Sequence, residues 1–204
     1  MRILILGSQG QFGTSLEAAC RDRGVDCYAA KRTDADLTDV AAVRHLVERE
    51  SASVIVNTTT FGGIAECEAD PAAALAVNIT GTLRLAELCA ERDIPLVQTS
   101  THLVFRGDNP EPYVESDLPD PNSVYSASKL ASEHLAATRC PRHYVLRFPT
   151  LYGARRNKAK GFVEKMIDLL LEDTPLRIAD DRLDCPTWAY DAGQALLDLL
   201  MGNA

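Results

Sequence analysis

The sequence predicts an α/β fold, a doubly wound parallel sheet with helices on both faces. Three observations carry this. Apolar runs of strand length alternate along the chain with longer stretches whose apolar residues recur at helical spacing. The strand runs are continuously apolar, as strands buried on both faces must be. A strand that returns parallel to its predecessor needs a right-handed crossover, which the intervening helices supply. With 46% hydrophobic and 25% charged residues in a chain of 204, there is material for one sizeable core.

Strands are expected, in order, at Arg2–Leu6, Val25–Ala30, Val54–Asn57, Leu96–Thr99, Tyr144–Phe148 and Leu176–Ile178. Helices are expected at Gly13–Arg23, Val40–Glu50, Pro71–Arg92, Tyr125–Thr138, Gly161–Glu172 and Asp191–Met201. The stretch Arg106–Val124, rich in Pro, Asp, Asn and Glu, reads as a loop leading into the Tyr125 helix. Long ordered loops are often functional.

Composition excludes several classes of function. A net charge of −8 repels a polyanion, so no nucleic acid partner is expected. The basic run from Arg155 to Lys160 reads either as a solvated loop or as a contact for one phosphate-bearing small molecule. Apolar runs such as Arg2–Leu6 and Ile167–Leu171 are too short or too interrupted to cross a bilayer, so no membrane span is expected. The first residues lack the flank, apolar middle and cleavage site of a signal peptide, which points to the cytoplasm. Six cysteines include no CxxC pair and no neighbouring histidine. They read as buried thiols in a reducing compartment, with no disulfide framework and no metal site.

The first strand runs directly into Gly7-Ser8-Gln9-Gly10-Gln11-Phe12-Gly13, after which a helix begins. In this context the first glycine permits a tight turn, the second allows close approach of a dinucleotide and the third lets helix pack on strand. The free N–H groups of the helix face the pyrophosphate. The fold is therefore expected to be of Rossmann type. An acid usually closes the second strand and receives the adenosine ribose where NAD is preferred. Here the strand ends Ala30-Lys31-Arg32, which favours NADP(H) over NAD(H), with Arg32 on the 2′-phosphate; the alternative for Arg32 is a solvated surface arginine.

Tyr125-Ser126-Ala127-Ser128-Lys129 sets a phenol and an ammonium one helical turn apart, on one face. An adjacent cation favours phenolate and brings the tyrosine toward the working pH range, and the lysine can also hold the nicotinamide ribose. Thr101 sits at the C-terminal end of the fourth expected strand, where open α/β sheets place their ligands. Its hydroxyl can hold a substrate oxygen while Tyr125 gives or takes the proton. These are the parts of a carbonyl–alcohol interconversion.

Taken together, the glycine turn, Asn57-Thr58-Thr59-Thr60, Asn78-Ile79-Thr80-Gly81-Thr82, Ser100-Thr101, Tyr125-x-x-x-Lys129 and Arg147-Phe148-Pro149-Thr150-Leu151-Tyr152-Gly153 stand in an order that resembles the extended short-chain dehydrogenase/reductases. Within that superfamily the chain is most similar to the dTDP-4-dehydrorhamnose reductase group, through Val104-Phe105 to Asp181-Arg182-Leu183-Asp184-Cys185-Pro186-Thr187. The resemblance implies Thr101, Tyr125 and Lys129 as catalytic residues. It implies Gly7, Gly10, Gln11, Phe12 and Gly13 at the pyrophosphate and Asp36-Leu37 beside adenine, with Thr58, Thr59, Thr60, Asn78, Tyr125, Lys129 and Phe148 also at the cofactor. Asp36 has a second reading, as the cap of the following helix. It further implies a homodimer, formed through the Pro71–Arg92 and Tyr125–Thr138 helices.

The chain also departs from that pattern. His102-Leu103 replaces an Asp-Tyr pair after the catalytic threonine, and Thr150 replaces a tryptophan. His102 and Thr150 are thus the candidate substrate contacts, His102 being alternatively structural. Enzymes of that group continue well beyond the Pro-Thr motif. Residues 1–150 are therefore expected to form the NAD(P)-binding domain and 151–204 a short remnant of the substrate region, leaving apolar surface around Phe162–Leu171 exposed. The function implied is an NADPH-dependent reductase of a keto group on a nucleotide-activated deoxysugar, in deoxysugar biosynthesis. The alternatives are a non-catalytic NADP-binding regulatory subunit and an NAD-dependent sugar-nucleotide epimerase or dehydratase.

Overall fold

The computed structural model describes residues 1–157, 160–176, 178–180 and 183–202. β1 (Arg2–Leu6) turns into α1 (Gln11–Asp22), which returns the chain to β2 (Asp26–Ala30). α2 (Val40–Glu50) crosses to β3 (Val54–Asn57), on the other side of β1. α3 (Ile64–Ala69), α4 (Pro71–Ala74), a π-helical stretch Leu75–Gly81 and α5 (Thr82–Glu91) lead to β4 (Leu96–Thr101). α6 (Val124–Arg139) then leads to β5 (His143–Phe148). All five strands are parallel, in the order β2-β1-β3-β4-β5. The chain reverses direction across the sheet at β1, so a crevice opens between β1 and β3 at their carboxyl ends.

Side chains alternate across the sheet with the period of two that strands impose. Leu4, Leu6, Ile55 and Leu96 face α2, α5 and α6, while Ile3, Ile5, Val54, Val56 and Val97 face α1 and α8 (Ala189–Met201). Each such side chain contributes about 1.5–3 kcal/mol when fully buried. Gly193 allows α8 to lie close on α1: a Cβ there would be 3.3 Å from the Leu16 Cα.

One expectation needs correction. Leu176 and Ile178 belong to no strand, and Arg177, between them, lies outside the described residues. Pro175 before the run has no N–H to donate, and Ile178 is 58% exposed, with no buried face to hold a strand in place. The small second sheet is instead a parallel pair, β6 (Leu151–Tyr152) and β7 (Thr187–Trp188). The Pro71–Glu91 helix, at 21 residues, has the length and apolar composition that a membrane span needs, as core helices also can. Here it lies against the sheet, with Leu85, Ala86, Leu88 and Cys89 in the core. Its π turn directs Asn78 inward, 2% exposed.

Several shorter features had no period to betray them, among them α3 and the 3₁₀ turn His102–Val104. α7 (Phe162–Leu171) forms where the apolar spacing predicted a helix. All six cysteines are free: Cys20, Cys67, Cys89 and Cys140 are buried, Cys27 is half-buried and Cys185 exposed.

Candidate active site

The three glycines of the first turn answer to different constraints. Gly7 has φ +80°, and a Cβ there would sit 2.8 Å from the Thr58 hydroxyl. A Cβ on Gly13 would lie 2.7 Å from the Gly7 carbonyl oxygen. Both are glycines because the fold requires it. Gly10 differs: its φ of −72° suits any residue, and a Cβ would meet only the Gly7 carbonyl oxygen, at 3.4 Å. Its side chain is missing toward the cleft, not toward the protein. Gly10 is also the N-cap of α1 and offers no side chain to the N–H groups of the first turn, which leaves them for an anion.

The cleft beside this turn has a volume of about 230 Å³. Gly7, Gln9 and Gly10 form its floor. Arg32, Ala35, Asp36 and Leu37 bound one side, Thr58, Thr59, Thr60 and Phe61 the other, with Val77 and Asn157 completing the wall. Eight residues singled out in the sequence thus meet: Gly7, Gly10, Arg32, Asp36, Leu37 and the three threonines. Thr58 donates to the Leu6 carbonyl at 2.7 Å, which pins the end of β3 to β1. Arg32 is largely exposed at the cleft edge, its Nε donating to Asp36 at 2.7 Å. The Thr38 N–H and hydroxyl, and then Arg32, hold the Asp36 carboxyl down at about 2. Asp36 does not cap α2; Asp39 does, accepting from the Ala42 N–H at 3.0 Å.

Phe12, Gln11, Phe148 and Asn78, also expected at the cofactor, are not in the lining of this cleft. Phe12 is 6% exposed and packs on Phe148 with ring centroids 4.5 Å apart, beneath the turn. Gln11 is engaged by its side chain with Arg155 at 2.7 Å and with the Gly153 carbonyl at 3.1 Å. Asn78 is tied to the Phe61 N–H and to Ser128, each at 2.9 Å. The basic run lies across the glycine turn, for the N–H groups of Arg156 and Asn157 both donate to the Gln9 carbonyl at 3.1 Å. Arg156 also pairs with Glu17. Lys158 and Ala159 of that run lie outside the described residues.

At the carboxyl end of β4 a second group of residues converges. Ser123 caps α6 through the Ser126 N–H, and the helix carries Tyr125 and Lys129 on its inner face. Tyr125 stands close enough to Thr101 for that hydroxyl to act on its phenol, and the Thr101 Oγ1 accepts from the Leu103 N–H at 3.2 Å. Burial pushes the Tyr125 phenol above its usual value and the Thr101 hydroxyl pulls it part of the way back. Lys129 is not among the groups acting on the phenol, whose upward shift comes first from desolvation. Lys129 is itself 3% exposed, and burial brings its ammonium down to about 8, with Glu133 and the Cys67 thiol acting in the opposite direction.

His102 and Thr150 both meet a residue that local sequence did not single out, Asp184. The His102 ring has Nδ1 3.1 Å from the Phe148 carbonyl oxygen and Nε2 3.9 Å from Asp184. The Thr150 hydroxyl donates to the other Asp184 oxygen. Burial pushes the Asp184 carboxyl up, but Thr150, the Cys185 N–H and His102 together hold it below the usual range. Asp181 and Arg182, just before it, lie outside the described residues. Asn157, in the cleft wall, belongs to the basic run that the sequence offered as one contact for a phosphate-bearing molecule. Glu133 could have been found, since it follows Lys129 by the same helical turn that separates Lys129 from Tyr125.

The family model described as the RmlD substrate binding domain matches residues 1–204. The chain is 35% identical over 199 residues to dTDP-4-dehydrorhamnose reductase of Streptomyces griseus, covering 97% of this chain and 64% of that protein. It is 34% identical over 204 residues to dTDP-4-keto-6-deoxy-D-glucose reductase of Streptomyces niveus, covering 100% of this chain and 70% of that one. It thus spans about two thirds of the length of these relatives. The crystal structure of dTDP-4-dehydrorhamnose reductase from Bacillus anthracis in complex with NADP superposes with a TM-score of 0.90 at 27% identity, over 98% of this chain and 70% of the other. Together with the parallel sheet and its glycine turn, the match along the full chain establishes that the protein belongs to the RmlD substrate binding domain family.

Proposed function

We propose that this chain is an NADPH-dependent reductase that converts the ketone of a dTDP-linked 4-keto-6-deoxysugar to an alcohol. The observation that carries the reading is Thr101 at the carboxyl end of β4 facing Tyr125, with Lys129 buried one turn along α6, on the same sheet edge as the glycine-turn cleft. Similarity to reductases of dTDP-sugars supports the substrate class.

The cofactor fits the residues present. The side-chain-free face of Gly10 and the uncapped first turn of α1 suit a pyrophosphate. Arg32 is our assignment for the 2′-phosphate, supported by its exposure and by the NADP complex of the relative from Bacillus anthracis. Bound NADPH supplies the hydride. Tyr125 supplies the proton: a phenol held above its usual pKa stays protonated at neutral pH and can donate to the carbonyl oxygen as negative charge develops there. Thr101 holds that oxygen, and Lys129 holds the ribose and sets a positive charge beneath the phenol. We assign residues 1–150 to cofactor binding, and 151–204, with His102 and Thr150 on Asp184, to the sugar side.

The test is NADPH oxidation, followed by absorbance, with dTDP-4-keto-6-deoxysugars and with simple ketones. Wild type is expected to turn over the dTDP-sugar, and Tyr125→Phe to lose on the order of 10²–10⁴-fold in kcat, the usual worth of a general acid. Silence of both proteins, with NADPH still bound, would overturn the reading in favour of a regulatory subunit.

A further inference from the structure

Directly below the candidate catalytic residues lies a buried charged cluster to which the proposed chemistry assigns no part. Glu133 on α6 is 5% exposed, one turn beyond Lys129. One of its oxygens accepts from the Ser100 hydroxyl, and both accept from Arg147: Nε at 3.1 and 3.2 Å and a terminal nitrogen at 2.7 Å. Ser100 is the residue before Thr101 on β4, and Arg147 lies opposite it on β5. The Arg147 guanidinium rests 4.9 Å over the Phe105 ring, which stacks in turn on Tyr113 of the long loop at 4.4 Å. One carboxylate therefore joins α6, β4 and β5 at the edge that carries Thr101, Tyr125 and Lys129.

Burying a charge is costly unless it is paired and hydrogen-bonded. Glu133 and Arg147 meet that condition. Lys129 does not, since among the described residues it makes no ion pair within 4.0 Å. Of the titratable groups on the elements packed against α6, Glu133 and the Cys67 thiol of α3 act on it. Tyr125 precedes it on its own helix.

We propose that Glu133 is a positioning residue for the reaction: it clamps the Thr101 end of β4 to the Tyr125–Lys129 face of α6 and supplies the counter-charge that keeps Lys129 cationic. This rests on the reductase reading above, for the role of Lys129. A clamp of purely structural value would not affect the charge on Lys129. The carboxylate has two effects that separate on substitution. Glu133→Gln keeps the shape and removes the charge, leaving the half-buried Arg147 and the buried Lys129 as cations with no carboxylate between them; because an arginine does not deprotonate, Lys129 must lose its proton at lower pH. Arg147→Gln does the reverse, freeing the Glu133 charge to face Lys129 alone.

The experiment measures the alkaline limb of the kcat/KM profile for NADPH oxidation in wild type, Glu133→Gln and Arg147→Gln. In parallel, the 13Cε-lysine NMR shifts of the cofactor-free proteins are titrated, with Lys129→Met to assign the resonance. Glu133→Gln is expected to move both the limb and the Lys129 titration acidward by about one pH unit, with kcat about tenfold lower at pH 7. Arg147→Gln is expected to move both alkaline-ward. Unmoved titrations in both variants would overturn the proposal and leave Glu133 a structural clamp. If Glu133→Gln does not fold, the direction of the Arg147→Gln shift decides. A Lys129 titration that moves as stated in a protein that oxidises no NADPH would sustain the charge coupling while sinking the reductase reading.

Discussion

On α6 a lysine and a glutamate are 3% and 5% exposed, while on α7 Phe162, Ile167, Leu170 and Leu171 are 50–81% exposed and no residue is buried. α8, equally leucine-rich, behaves ordinarily, with Leu196 and Leu197 at 3% and 0% against α1. Polarity and burial are thus exchanged in opposite senses on α6 and α7. On α6 the exchange is compensated, because Glu133 is saturated by Ser100 and Arg147, and it serves a chemical end. On α7 Val163, Met166 and Leu169 are half-buried, and nothing among the described residues covers Phe162, Ile167, Leu170 and Leu171. A hydrophobic period specifies that a helix has an apolar face; it does not specify what that face meets.

The comparison is broken most forcefully by deleting apolar groups. Leu197→Ala in α8 should cost about 2–5 kcal/mol, whereas Leu171→Ala in α7 should change stability by less than about 0.5 kcal/mol. Urea unfolding of both variants measures this, and equal losses would mean that α7 is packed after all.

A smaller effect is expected from removing the buried charge on α6. The Lys129 ammonium titrates at about 8 when folded, below its ordinary 10.5, so folding with the proton on is penalised. Below pH 8 both states are protonated and the full cost is present. Between 8 and 10.5 the unfolded chain holds the proton and the folded chain does not, so stability rises with pH across that window. Lys129→Met should therefore stabilise the cofactor-free protein by on the order of 2 kcal/mol at pH 7. The gain should shrink above pH 8 and be gone near 10.5. Melting curves at pH 7 and pH 10 would show whether the two proteins converge as this requires.

The smallest change in stability is expected at Gly10. Gly13→Ala forces a Cβ to 2.7 Å from the Gly7 carbonyl oxygen and should cost about 1–3 kcal/mol. Gly10→Ala meets no such contact and should stay within about 0.5 kcal/mol of wild type, yet weaken NADPH binding by about tenfold or more. A paired thermal-melt and fluorescence-binding measurement separates the glycine demanded by the fold from the one demanded by the ligand. Equal destabilisation by the two would remove the case that Gly10 faces a ligand.

Much of the architecture was legible because its signals are local. Strand runs, helical periods, the glycine spacing and the Tyr125–Lys129 turn each depend on neighbours within a few residues. The resulting elements match the five central strands to within two residues at either end. The exception, Leu176–Ile178, was apolar but too short for a period to mean anything. Asn78 and Phe148 do not line the glycine-turn cleft, and their place in a motif could not show that, because a side chain's direction follows from packing.

By itself, then, the sequence determined the order of strands and helices, the glycine turn and the set of residues able to exchange a proton with a carbonyl. Only the tertiary structure decided that Arg156 and Asn157 would lie across Gln9, that His102 and Thr150 would share Asp184, and that Glu133 would join Ser100 to Arg147. Most of these contacts join residues remote in the chain. Hydrogen bonds and charges of this kind form only after the sheet has brought its carboxyl ends together, and no spacing in the sequence records the meeting.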